Sequence, residues 1–204
     1  YAEAFPEKYR RATEPEEAGG DILHLDRLRA TGTIQFDLLP GAESADEVRL
    51  RFYRPGRLFL SDVIPILDNF GFRVLDQDPI EVSCPDGAEL RMDTFRLLVD
   101  RQSGETDYVA NKERLLNGLR AVFERRMVSD PLNRLMLRPG LTWEDVDCLR
   151  AYLGYSLQIG PFFAADVAHR VLCARPVLTG TLADFFHARF NPRFGEADSE
   201  SRSQ

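Results

Sequence analysis

The sequence predicts an α+β fold: a small sheet-and-helix module followed by an all-helical module. Three observations predict it. From Val48 to Asp78 the pattern reads strand, Pro-Gly turn, short helix, glycine stop, strand. Apolar alternation recurs at Ile34–Leu38 and at Phe95–Val99, with turn residues between the runs. In the final third the alternation disappears and only helical spacing remains.

The elements follow in chain order. Asp21 is placed to cap a helix whose stripe is Ile22, Leu25 and Leu28, and Gly32 ends it. Ile34, Phe36 and Leu38 form a strand, and residues 40–47 a polar loop leading to the strand that starts at Val48, so the two read as a hairpin. In that second strand Val48, Leu50 and Phe52 alternate with Arg49, Arg51 and Tyr53. Pro55 and Gly56 end it. Asp62 is expected to cap the next helix, with Pro65 at its third position and a stripe of Val63, Ile66, Leu67 and Phe70; Gly71 stops it. A strand resumes at Phe72 and gives way after Leu75 to a turn-rich region ending in SCPDGAE. Arg91 to Asp100 is a further strand. Leu115, Leu119, Val122, Phe123 and Met127 lie on one face of a helix from about Tyr108 to Met127, with Arg125 and Arg126 in its last turn. Pro131 opens a short helix capped by Asp130. Thr142 caps a longer one, with Asp145 as its capping-box partner and Val146, Leu149, Leu153 and Leu157 as its buried face. Val167, Val171 and Leu172 mark another helix, ended by Pro176, and Leu182, Phe185, Phe186 and Phe190 mark the last.

Composition narrows the function. The 204 residues carry 26 Lys and Arg against 33 Asp and Glu, a net charge of −7, which argues against nucleic acid as the main partner. No apolar run is long enough to cross a bilayer, and the first residues lack a signal peptide, so a cytoplasmic protein without a membrane partner is expected. The chain starts at Tyr1 rather than Met, as an excised fragment would. Three cysteines, Cys84, Cys148 and Cys173, have no framework spacing and read as reduced thiols.

The segment RPGRLFLSDVIPILDNFGFRVLDQD resembles an ACT domain, a ferredoxin-like βαββαβ module that binds amino acids and similar effectors. FPEKYRRATEPEEAGGDILHLDRLR, NRLMLRPGLTWEDVDCLRAYLGYSLQIG and LADFFHARFNP extend the likeness to the large bacterial NAD-specific glutamate dehydrogenases, long polypeptides with ACT-like and helical segments ahead of a catalytic core. The resemblance implies a division into an N-terminal helix and strand (1–47), an ACT-like domain (48–127), a helical domain (128–193) and a flexible tail (194–204). It implies homo-oligomers in which glutamate becomes 2-oxoglutarate and ammonia, with NAD bound in the full-length enzyme and no cofactor in this segment. The partners would be other domains and subunits of the same enzyme, and an amino-acid effector.

The leading candidate site is the loop after the first strand of the ACT-like unit. There, free amides at a helix start can hold a carboxylate and Gly56 admits a ligand to the backbone. The candidate effector or interface residues are Arg54, Gly56, Arg57, Leu58, Ser61 and Asp62, together with Asn69 and Gly71 at the far end of the helix. The competing expectation is a purely structural scaffold that binds no ligand. No catalytic set is assigned: there is no G-x-G-x-x-G after a strand, no phosphate loop, and Lys8 and Lys112 are the only lysines. His169 and Cys173 share a helical face but supply only two of the four ligands a structural zinc needs, so no metal is expected.

Overall fold

The computed structural model describes residues 3–41, 44, 46–84, 87–99, 108, 111–160 and 164–191. The tail expected to be flexible (194–204) lies outside them.

Two helices come first, α1 (Glu7–Ala12) and α2 (Pro15–Thr31). Gly32 ends α2 with φ 69°, and its N–H donates to the Leu28 carbonyl at 2.8 Å. Asp21 is not a cap. It sits inside α2 and is 1% exposed; its long-range partners, described below, draw it inward. Four strands follow: β1 (Gln35–Pro40), β2 (Glu47–Pro55), β3 (Phe72–Ser83) and β4 (Glu89–Val99). They form one antiparallel sheet in the order β1-β2-β4-β3. The expected hairpin is β1–β2, with Phe36 opposite Phe52.

β2, helix α3 (Leu60–Asn69) and β3 make a split β-α-β unit with β4 between its two strands. This is the ferredoxin-like arrangement of an ACT domain, with one difference. The sheet position beside β2, which a last strand would fill in a βαββαβ chain, is held by β1 from the N-terminal side. β3 also runs longer than the alternation indicates, through Pro79 to Ser83. It is an edge strand, where a proline costs no ladder bond on its solvent side.

Both faces of the sheet are covered. On one, Phe36, Leu50, Phe52, Phe95 and Leu97 meet α3 and α4 (Lys112–Phe123). Phe52 packs edge-on against Phe36 and Phe95, with ring centroids 5.0 and 5.1 Å away. On the other, Tyr53, Val82, Leu90 and Met92 meet Tyr9, Leu25 and Leu28 of α1 and α2. This second layer is why Arg51 and Tyr53 are buried rather than solvated.

α3 begins at Leu60 with Phe59 as its N-cap, three residues ahead of the expected start. Asp62 therefore lies in the first turn, where its charge favours the helix dipole, and Pro65 lies inside the helix on its exposed side. Val63, Leu67 and Phe70 are buried as the stripe requires. α4 stops at Phe123, so Arg125 and Arg126 fall beyond its last turn; Arg126 covers the Trp143 ring at 5.1 Å.

The first core continues into a helical half made of a 3-10 helix (Pro131–Met136), α5 (Trp143–Ile159), α6 (Ala165–Ala174) and α7 (Pro176–Phe190). Gly118 of α4 lets the 3-10 helix approach: a Cβ there would overlap Met136. Asp130 caps the 3-10 helix by accepting from the Leu132 N–H at 3.0 Å. Arg150 of α5 holds the 3-10 helix, donating to Asp130 Oδ2 at 2.6 Å and Asn133 Oδ1 at 3.1 Å. The Thr142–Asp145 capping box forms as expected.

Candidate functional site

The β2–α3 loop is built by backbone chemistry. β2 ends at Pro55, and Gly56 turns the chain with φ 73° and open space where a Cβ would point. Leu58 drops back against the core and anchors the loop. Phe59 then takes an extended conformation, and the Asp62 N–H donates to its carbonyl at 3.0 Å. Ser61 Oγ donates to Asp62 Oδ1 at 3.2 Å. Gly56, Arg57, Ser61 and Asp62 are exposed. Phe59 is 65% exposed, and Leu60 and Ile64 41% each. The loop and the first turn of α3 thus present an apolar patch beside Arg57.

Arg54, Gly56, Arg57, Leu58, Ser61 and Asp62 lie together at this end of α3. Asn69 and Gly71 do not. They sit at the opposite end of a ten-residue helix, about 15 Å away at 1.5 Å per residue. Asn69 Nδ2 donates to Ser129 Oγ at 3.1 Å, and Gly71, with φ 86°, lies under the stem of Arg134. Both join α3 to the helical half.

Local reading missed three groupings. Asp93 of β4, 3% exposed, faces the same side as Phe52 and Arg54. Gln77 donates to its Oδ1 at 2.7 Å while its Oδ2 is buried with no partner. Burial raises its pKa, against the pull of Gln77, Arg54 and Arg91. No sequence pattern marks it, because an acid in a strand reads as solvent-facing.

A second grouping centres on Asp21, beneath the other face of the sheet. It accepts from Arg51 Nη1 at 2.7 Å and from the Tyr53 hydroxyl at 2.6 Å; Tyr9 also donates to it. Glu17 pairs with Arg51 and, at 3.0 Å, with Arg49. Burial pushes the Glu17 pKa up, but the two guanidiniums outweigh it and hold the carboxyl below its usual range. Burial and Asp21 push the Tyr9 and Tyr53 hydroxyls well above theirs. Every polar group of this network is spent on its neighbours, so it is scaffold rather than chemistry.

The third lies in the helical half. A cleft of about 590 Å³ between the 3-10 helix and α6 is lined by Arg134, Arg138, Asp166, His169, Arg170 and Cys173, among others. Cys173 Sγ donates to the Pro131 carbonyl at 3.2 Å, and burial pushes its pKa up to about 11, so it is no nucleophile at neutral pH. Nearby, His187 Nε2 lies 2.6 Å from Asp145 Oδ1, beside a smaller apolar groove between α5 and α7. Among the described residues, no group of three or more His, Cys, Asp or Glu side chains converges on a metal position, and no helix is long and apolar enough to cross a membrane.

Three family models match along the chain: glutamate dehydrogenase helical motif 2 over residues 1–28, its ACT3 domain over 34–109, and its helical motif 3 over 127–192. Similar proteins include the NAD-specific glutamate dehydrogenases of Mycobacterium tuberculosis, 29% identical over 94% of this chain, and Halomonas elongata, 30% over 98%. That of Pseudomonas aeruginosa is 29% identical over 93%. The chain spans 12% of the length of each.

Proposed function

Because the chain belongs to the glutamate dehydrogenase family, as a segment carrying helical motif 2, the ACT3 domain and helical motif 3, we propose that it is a non-catalytic regulatory and assembly segment. In this reading NAD binding and the conversion of glutamate to 2-oxoglutarate and ammonia reside elsewhere in a cytoplasmic, homo-oligomeric enzyme. The segment meets neighbouring domains or subunits through the β2–α3 loop, and an amino-acid effector binds where the loop faces its partner.

One observation carries the proposal. Phe59, Leu60 and Ile64 are exposed in a loop whose shape is preset by Pro55 and Gly56. A preset apolar surface beside an arginine loses little ordering entropy on docking and has the composition of a contact centre. The ligand-free scaffold draws support from the same exposure, since a neighbouring domain could cover this patch with no ligand between.

The test pairs two measurements. In the full-length enzyme, Phe59→Ser and Arg57→Ala should weaken assembly, read by sedimentation, or shift the response to amino acids. Melting this chain and the full-length enzyme against an amino-acid panel separates the two readings: a ligand at a hundredfold excess over its Kd stabilises by about 2.7 kcal/mol. Unchanged assembly and unchanged response in both variants would reduce the loop to a connector.

A further inference from the structure

We propose that the cleft between the 3-10 helix and α6 binds a small dianion, a molecule presenting two carboxylates or a phosphate group. The inference stands apart from the β2–α3 loop. Arg134 and Arg138 reach the cleft from the 3-10 helix and the turn after it; His169 and Arg170 reach it from α6. Asp166 is the one carboxylate in the wall, and Asp68 Oδ1 lies 3.8 Å from Arg134 Nη2. Three guanidiniums therefore share one cavity in a chain whose net charge is −7. A local positive field inside a cleft concentrates small anions there.

The geometry suits a small molecule with several oxygens. The volume of about 590 Å³ lies within the usual span of small-ligand pockets. Arg134 is positioned in advance: its Nη2 donates to the Asp68 carbonyl at 3.1 Å, at the C-terminal end of α3, and its stem lies over Gly71. Arg170, which is exposed, can present a fork of parallel donors to a carboxylate or phosphate, while Arg134, whose Nη2 is committed to Asp68, adds its charge. A dianion answers the summed charge of Arg134, Arg138 and Arg170 better than a monoanion does.

Calorimetric titration of the 204-residue chain at low salt tests this, with succinate as the dicarboxylate, inorganic phosphate as the phosphate source and acetate as the monoanion. One dianion should bind saturably, acetate should not, and added sodium chloride should weaken binding. Which dianion saturates identifies the source. Arg170 is exposed, so Arg170→Ala should leave the melting curve unchanged while weakening binding about tenfold, equivalent to about 1.4 kcal/mol. Arg170→Lys should recover part of it. The proposal is overturned if neither dianion saturates, or if Arg170→Ala and Arg138→Ala both bind like the parent chain. Loss of binding on Arg57→Ala alone would move the anion to the β2–α3 loop and overturn it too.

Discussion

Arg51 of β2 and Asp21 of α2 form a buried ion pair, with Nη1 2.7 Å from both carboxylate oxygens and side chains 5% and 1% exposed. Removing one partner strands a charge in the interior. Asp21→Ala should therefore cost about 3–5 kcal/mol, measured by urea unfolding. Replacing both partners with apolar residues, as in Asp21→Leu with Arg51→Met, should cost less than the sum of the two single changes, although it leaves the Tyr9 and Tyr53 hydroxyls without their acceptor. A double-variant cost equal to the sum of the Asp21→Leu and Arg51→Met costs would show that the pair carries no coupling.

This pair also marks where sequence reading ran out. An aspartate just ahead of an apolar stripe looks the same as a helix cap, and its partner stands thirty residues away in another element. The hairpin and the α3 stripe were legible because both faces of each pattern follow from local period. The length of β3 was not, since an edge strand exposes most of its residues and hides its alternation. Nor was the outer surface of α7: Phe185 and Phe190 lie on an apparent core stripe yet are 67% and 60% exposed. In the candidate loop, Gly56 and its turn were legible, whereas the outward set of Phe59 and Leu60 depends on how far α3 extends.

The face of α3 gives a paired test. Leu67 is fully buried, so Leu67→Ala should cost about 2–5 kcal/mol. Ile64→Ala, on the exposed side, should stay within about 0.5 kcal/mol. Thermal melts of the two variants decide whether the helix is oriented as described.

Gly56 and Gly118 should fail for different reasons. Gly56→Val places a side chain in open space but at φ 73°, so its cost is the left-handed backbone penalty, about 1–2 kcal/mol. Gly118→Ala keeps a good helical backbone but drives a methyl into Met136, an overpacking cost of about 1–3 kcal/mol partly offset by helix propensity. Met136→Ala opens a cavity of its own, but in that background Gly118→Ala should lose its cost while Gly56→Val keeps its own.

Two carboxyls give opposite pH signatures. Burial pushes Asp145 up, but hydrogen bonds from His187 and Thr142 outweigh it and hold its folded pKa below the ordinary value. Its contribution is present above the unfolded carboxylate pKa, about 3.9, and is lost as pH falls through the folded value. The stability gap between the parent chain and Asp145→Asn should therefore be largest at neutral pH and close in acid. Asp93 is raised by burial, so its stabilising share is present below the unfolded pKa and lost as pH rises through the folded one. Asp93→Asn keeps an acceptor for Gln77 and should raise the melting temperature at pH 7 but not in acid. Melts across the acidic range, run on both variants, check the two signs.

The placement of β1 at the edge beside β2 bears on synthesis. Every described strand of the sheet precedes α4 in the chain. A nascent polypeptide can thus close the four described strands into a sheet once Val99 has cleared the ribosome. α4 has no need to send the chain back across the sheet, and its end is released to continue straight into the 3-10 helix and α5. The helical half can then be laid down on a surface that already exists.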